Sequence, residues 1–265
     1  MIPELPPPVV RALDAVNRRG KALGVRLVKY TGKSRHLIHP KHLVEAPWHD
    51  WYVEHLSPVD LVLDVGCANG GHTLRASPHC TRIFGFDYDP GQLRIARQEA
   101  ARLGLGNIHL FAWDVTGRFP FPDRHFDVVL LLDVIEHLHP RVAVLHEIHR
   151  VLKDGGRLLV SGPNRETTWR RRLREAGLFA YSDPDHKVEY SREEFLAELS
   201  AGGFRPLGGL MPVVYDTPWA GLIDAVGGLS LALYSRLARW KRAAALRHPG
   251  ESTGFRAVAV KAARP

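Results

Sequence analysis

The chain has 265 residues, 45% of them apolar, with 36 Lys and Arg against 28 Asp and Glu for a net charge of +8. That length suits one large α/β domain with an appended helical piece. Two cysteines exclude a disulfide framework and a cysteine-built metal site, and no apolar run is long and uninterrupted enough for a secure membrane span. The basic balance suits an anionic surface, nucleic acid or a phosphorylated substrate, or else is only a solvated positive face.

Residues 1–58 precede the first core strand. The opening Pro3, Glu4 and Pro6–Pro8 do not read as a signal peptide. Val9 to Gly24 reads as a basic helix. Lys41 to Leu56 reads as a second helix carrying Trp48, Trp51, Tyr52 and Leu56 on one face, with Lys41 or His42 at its start as a cover for a ligand. Apolar strands and helices then alternate: strands at 61–66, 82–87, 107–112, 126–132 and 156–161, helices from Gly70, over 90–103 and over 140–152. Such alternation predicts a parallel, doubly wound sheet. A helix over 191–201, a sixth strand at 203–210 and an alternating last strand at Gly254–Lys261 follow. Between the last two strands lies an insertion, 211–253, with an apolar stretch from Trp219 to Tyr234 and then Arg236, Arg239, Lys241, Arg242 and Arg247. The domain division is a helical cap over 1–58 and a main domain over 59–265 that contains this insertion. Cys67 and Cys80 read as free thiols of a cytoplasmic protein.

Two segments carry the chemistry. Strand 61–66 runs into the turn Gly66-Cys67-Ala68-Asn69-Gly70-Gly71, and strand 82–87 ends in Asp87. In a parallel sheet both strand tips meet in one crevice. There a small-residue turn brings backbone N–H groups close to a ligand, and the carboxylate accepts from two ribose hydroxyls. Gly66-x-Ala68-x-x-Gly71 alone could be a dinucleotide fingerprint. Asp64 decides against it: a carboxylate just before the turn repels a pyrophosphate and suits a ligand with an ammonium and a sulfonium. S-adenosylmethionine (SAM) has both.

With Asp64-Val-Gly-Cys-Ala-Asn-Gly70, Asp87, Asp114, Leu132-Asp-Val-Ile-Glu136-His137-Leu138, Arg150-Val-Leu-Lys-Asp-Gly-Gly156 and Asn164-Arg165, the chain resembles the class I SAM-dependent methyltransferases over about residues 60–205. More narrowly, it resembles the small-molecule branch that includes the ubiquinone-biosynthesis O-methyltransferases. The resemblance implies a Rossmann-like seven-stranded sheet of order 3-2-1-4-5-7-6 with the last strand antiparallel. It also implies that Asp114 holds the adenine amino group and that backbone near Leu132 meets the methionine part. Tyr88 and Val115 are expected beside the adenine, Trp113 either covers the base or belongs to the core, and Asp133 either joins the cofactor site or orients a catalytic histidine. The family usually has Gly where this chain has Ala68, which must then keep a negative φ or bear strain.

Methyl transfer needs alignment and, for a hydroxyl acceptor, removal of a proton. Glu136 and His137 at the exit of the fourth strand are the candidates, with His186 in the loop between the fifth strand and the next helix as a second. One Glu with scattered Asp and His is not a ligand set, so no metal is expected. Arg165, Arg170, Arg171, Arg172 and Arg174 read as a wall for an anionic head group or as a solvated helix face. The function expected is methyl transfer from SAM to a small-molecule or lipid-linked acceptor, at oxygen. Nucleic-acid methylation fits less well, because Asp133-Val-Ile-Glu-His137 stands where base methyltransferases carry an Asn/Asp-Pro-Pro-aromatic motif. A non-catalytic SAM-binding scaffold is the alternative from another class. Residues 219–247 read as an interfacial, membrane-facing lid through Leu237, Trp240 and Leu246, as a hairpin over the active site, or as a homodimer contact.

Overall fold

In the computed structural model, residues 5–35, 37–44 and 48–262 are described. The chain divides into two compact units. One comprises residues 49–163, 185–211 and 255–265, the other residues 1–48, 164–184 and 212–254.

The first unit is built on a mixed seven-stranded sheet: β1 (Leu61–Val65), β2 (Arg82–Asp87), β3 (Ile108–Ala112), β4 (Phe126–Leu131), β5 (Leu152–Pro163), β6 (Phe204–Pro212) and β7 (Gly254–Lys261). Their order is β3-β2-β1-β4-β5-β7-β6, as the family resemblance implies. β1 runs parallel to β2 and β4, β2 to β3, and β4 to β5. Successive side chains of a strand point to opposite faces, and here both faces are buried, which is why the strands read as continuous apolar runs. Leu63, Val65, Phe86, Val129, Leu131, Leu158 and Val160 enter one core cluster. Val62, Ile83, Val128, Leu130 and Leu159 enter the other, with Trp51 and Tyr52.

The helices of this unit start where the sequence caps them. After the turn comes α2 (Gly71–Ala76), which Gly70 begins in the left-handed region at φ 80°. α3 (Pro90–Arg102) follows Asp89, whose carboxylate accepts from Gly91 N and Gln92 N, with Pro90 at the first helical position. α4 (Arg141–Val151) precedes β5, and α6 (Arg192–Ala201) opens on a capping box of Ser191 and Glu194.

The second unit is helical: α1 (Pro7–Tyr30), α5 (Thr168–Glu175), α7 (Ala220–Leu229) and α8 (Leu231–Arg247). The N-terminal helix and the insertion before the last strand thus belong to the same unit. α1 and α7 run parallel and meet through glycine. Gly20 lies against Gly221, Gly24 against Asp224 and Gly228, and a Cβ on Gly221 would fall on the Asn17 carbonyl. Asn17 Oδ1 accepts from Gly221 N, which seals the seam.

Three expectations are corrected. No helix spans 41–56: Pro40–Leu43 and Val53–His55 are single 3₁₀ turns, residues 48–52 form turns, and residues 45–47 lie outside the described residues. Pro47 explains the break, because a proline inside a helix removes a donor and disfavours helical backbone before it. Trp51 and Tyr52 still reach the core, from a turn rather than a helical face. The stretch after β5 is not all loop, since Thr167 accepts from Arg170 N and starts α5. The arginines there are largely tied down: Arg170 is buried on Asp216 and the Ala180 carbonyl, and Arg165 pairs with Glu166. A wall of open guanidinium forks is therefore not what α5 presents.

Candidate functional site

The turn after β1 is held in a strained shape. Gly66, Ala68 and Gly70 all have positive φ, at 72°, 44° and 80°. Ala68 therefore bears the strain instead of avoiding it, at about 1–2 kcal/mol for an L-residue in that region. The offset comes from bonds to β2. Gly66 N and Cys67 N both donate to the Phe86 carbonyl, and Ala68 N donates to Asp87 Oδ2 at 3.0 Å. Cys67 is buried against Gly85, where a Cβ would meet its Sγ, and burial pushes its thiol far up. It is packing, not a nucleophile.

Asp87 is buried at the tip of β2. Its Oδ1 accepts from Asp89 N at 2.9 Å, so both oxygens are oriented by backbone while lone pairs remain for a diol. Asp64, at the end of β1, is buried and accepts from Thr73 Oγ1 at 2.5 Å. Burial raises its pKa to about 7, the Thr73 hydroxyl opposes the shift, and Asp87 adds to it. A carboxyl raised from the ordinary carboxylate range keeps its proton in the folded state while the unfolded chain releases it. Its stabilising contribution is therefore whole below about pH 4 and is lost as pH rises through about 7. Asp64→Asn is thus expected to gain stability over the parent between pH 5 and pH 8 by about 1 kcal/mol or more, read from urea midpoints. A flat difference would show that Asp64 is already ionised. What relieves such a site without mutation is a cation.

The adenine side is looser. Tyr88 is exposed, and Trp113, partly exposed, donates through its indole N–H to the Arg118 carbonyl. Asp114 is exposed and accepts from both Thr116 N and Thr116 Oγ1 through Oδ1, which holds its pKa below the usual carboxylate range. Oδ2 is the oxygen left for a base. Val115 packs on the core. Leu132 is buried, and Asp133 takes a left-handed φ of 56° beside it. Asp133 and Ser161 bind each other: Asp133 N donates to Ser161 Oγ, whose hydroxyl donates to Asp133 Oδ1.

Glu189, which the sequence reading missed, stands beside His186. Lys187 N and Val188 N donate to the Glu136 carbonyl and fold the 182–190 loop onto the short turn Ile135–His137. Glu136, His137 and His186 thereby converge, with candidate ligand atoms all within 4.8 Å of one another. His186 Nδ1 lies 2.9 Å from buried Glu189 and its Nε2 3.9 Å from buried Glu136. The His137 ring meets that of His186 edge to face at 4.8 Å, and His137 is the exposed member. The scattered residues of the sequence are therefore a set, of a kind that also suits a divalent cation. A carboxylate on the far ring nitrogen is the usual support for a ligating imidazole.

Near the turn the sequence reading also missed His72 and Tyr52. His72 Nδ1 is 3.1 Å from the Tyr52 hydroxyl, and burial lowers the pKa of the imidazole, with Asp133 and Asp50 opposing the shift. The only sequence signal was position: His72 is the second residue of α2, beside the glycine turn. A cavity of about 820 Å³ opens at the opposite end of the sheet, lined by Asp123, Arg124, His146, His149 and Arg150. None of the candidate residues lines it.

Residues 62–156 match the methyltransferase domain family. A probable S-adenosylmethionine-dependent methyltransferase of Mycolicibacterium smegmatis is 32% identical over 143 residues, 54% of this chain and 51% of that one. The 27-O-demethylrifamycin SV methyltransferase of Amycolatopsis mediterranei is 29% identical over 154 residues, 56% of this chain and 54% of that one. The chain thus spans about half the length of the curated relatives it matches. A SAM-dependent methyltransferase structure from Aquifex aeolicus shares the fold, with a TM-score of 0.53 at 17% identity over 97% of this chain and 100% of that one. By its sheet order, its glycine turn between Asp64 and Asp87, and these matches, the chain is similar to the class I SAM-dependent methyltransferases, and the segment that matches the methyltransferase domain is residues 62–156.

Proposed function

We propose that the chain transfers the methyl group of SAM to a hydroxyl of a small-molecule or lipid-linked acceptor. Asp64 meets the ammonium, Asp87 the ribose diol and Asp114 the adenine edge. The donor sulfonium is already activated, so the protein aligns the acceptor oxygen opposite the sulfur and excludes water. The carbon–sulfur bond breaks as the carbon–oxygen bond forms, and the hydroxyl proton leaves to a base.

One observation carries the choice of oxygen: the exposed His137 imidazole set against His186, which Glu189 and Glu136 hold in place. His137 accepts the proton, and His186 with its two buried carboxylates positions it. The Amycolatopsis relative is named for methylation at an oxygen of a small molecule, which agrees with this reading. The same gathering favours a second reading, in which Glu136, His137 and His186 hold a divalent cation. Such an ion supplies Lewis-acid stabilisation of an alkoxide or phenolate.

The test is turnover of methyl-labelled SAM with hydroxylated small metabolites and with lipid extract, followed by location of the label. Label on oxygen is expected. Label on nitrogen or carbon would overturn the acceptor assignment, and no turnover with tight SAM binding would favour the scaffold. Asp87→Ala is the control for the donor site. It should weaken SAM binding at least tenfold, about 1.4 kcal/mol, by calorimetry, through loss of a charge-assisted diol contact. Unchanged affinity in a folded variant would remove Asp87 from the site.

A further inference from the structure

The charge of this chain is not spread evenly. The helical unit, residues 1–48, 164–184 and 212–254, holds 19 Lys and Arg against nine Asp and Glu. The remaining residues hold 17 against 19. All of the excess positive charge therefore lies in the helical unit. Within α1, α7 and α8 the acids are Asp14 and Asp224, and both are buried. Asp14 pairs with Arg18 and Asp224 with His39. These three helices present exposed cations and no exposed carboxylate.

The same helices leave apolar side chains in water. Val9, Val16, Leu23 and Tyr30 recur every seven residues along α1, and their exposure runs from 42% for Val9 to 82% for Tyr30. A seven-residue repeat keeps to one stripe of a helix, drifting only about 20° per repeat. Trp219, just before α7, and Leu222 and Leu229 on it are also exposed. The glycine seam places the two stripes together. Val16 and Leu23 each stand one residue before a seam residue, Asn17 and Gly24. Leu222 and Leu229 each stand one residue after a seam residue, Gly221 and Gly228. In parallel helices facing each other, one step back on the first and one step forward on the second fall on the same side. The two stripes therefore form one continuous apolar face. Arg19 and Arg26 lie a turn from Leu23 on either side and edge that face with exposed guanidinium groups.

This differs in part from the expectation for the insertion. Leu237 packs with Ile223, Tyr234 and Ala238, whereas Trp240 and Leu246 are exposed. The insertion contributes to an apolar surface through α7, and the N-terminal helix supplies the other half.

We propose that the α1–α7 face docks on an anionic lipid surface, with the aliphatic side chains at the acyl boundary and the arginines and lysines at the phosphates. Apolar residues bracketed by cations, on helices without exposed acids, are the chemistry of a helix lying in a bilayer interface. Among the described residues no helix is long and apolar enough to cross a membrane, so the contact is with one leaflet. A second copy of the chain is the poorer occupant, since a two-fold contact through this face sets like charge against like. The proposal does not rest on methyl transfer.

Flotation of the full chain with vesicles tests it. Binding to phosphatidylcholine–phosphatidylglycerol vesicles at low salt is expected, with at least tenfold less on phosphatidylcholine alone and a marked loss at high salt. The double variant Leu23→Glu/Leu222→Glu alters exposed side chains only. It should float at least tenfold less while keeping the parent circular dichroism and thermal midpoint. Arg19→Ala/Arg26→Ala should lose the preference for anionic vesicles and keep the fold. No vesicle binding by the parent at low salt overturns the proposal. So does binding that survives Leu23→Glu/Leu222→Glu. A parent that sediments as a dimer which the same double variant dissociates assigns the face to a second copy instead.

Discussion

His137→Ala is expected to lower kcat for a hydroxyl acceptor by about 100-fold or more while leaving SAM affinity nearly unchanged. A positioned general base contributes roughly 10²–10⁴ in rate, and it acts only when the proton moves, so ground-state binding is spared. The geometry separates the two roles. His186 is held by Glu189 at 2.9 Å and is half-buried, whereas His137 is exposed and touches that assembly through its ring. Removing His137 leaves the His186–Glu189 contact in place, so a folding defect is not the expected outcome. Single-turnover kinetics with labelled SAM, set beside calorimetry, measure both quantities. A loss of SAM affinity equal to the loss of rate would give His137 a structural role. Turnover by the parent that vanishes on chelation and returns with a divalent cation would assign Glu136, His137 and His186 to an ion.

Gly221→Ala should destabilise the chain by about 2 kcal/mol, although helix propensity alone argues for a gain of about 1 kcal/mol. The added methyl would fall on the carbonyl of Asn17, a backbone atom that cannot turn aside. The helices must part, which costs about 1–3 kcal/mol for overpacking. Parting also breaks the bond from Gly221 N to the buried Asn17 amide, worth about 1 kcal/mol. Packing therefore exceeds propensity, and the sign of the change is the test. Gly106→Ala serves as control, since nothing lies within 4 Å of the added carbon there. A lower thermal midpoint for Gly221→Ala and little change for Gly106→Ala are expected. A raised midpoint for Gly221→Ala would mean the seam is loose.

The sheet was legible because its strands are buried on both faces and therefore announce themselves as apolar runs with helices between them. The strand positions and their order agree with the sequence reading to within a residue or two, except that β5 begins four residues earlier, at Leu152. Asp64, Gly66, Ala68, Gly70 and Asp87 were legible for a different reason: the backbone can make that turn only with small residues, and two carboxylates at neighbouring strand tips need a purpose. Glu189 was not legible. It earns its place through a loop that folds back on Glu136 by two backbone bonds, and nothing in its local sequence marks that return. The false helix at 41–56 arose from aromatic spacing that outweighed Pro47. Trp51 and Tyr52 are core residues by burial, whatever the backbone around them does.

The glycine seam between α1 and α7 also ties together distant parts of the chain in inheritance. Gly20 and Gly24 lower the intrinsic helicity of α1, and only α7, some 200 residues later, compensates for them. A descendant that lost the insertion would keep an N-terminal helix with two uncovered notches. One that lost the N-terminal helix would keep an α7 rich in glycine with nothing to lean on. The two elements are therefore expected to be gained and lost as a pair among related proteins.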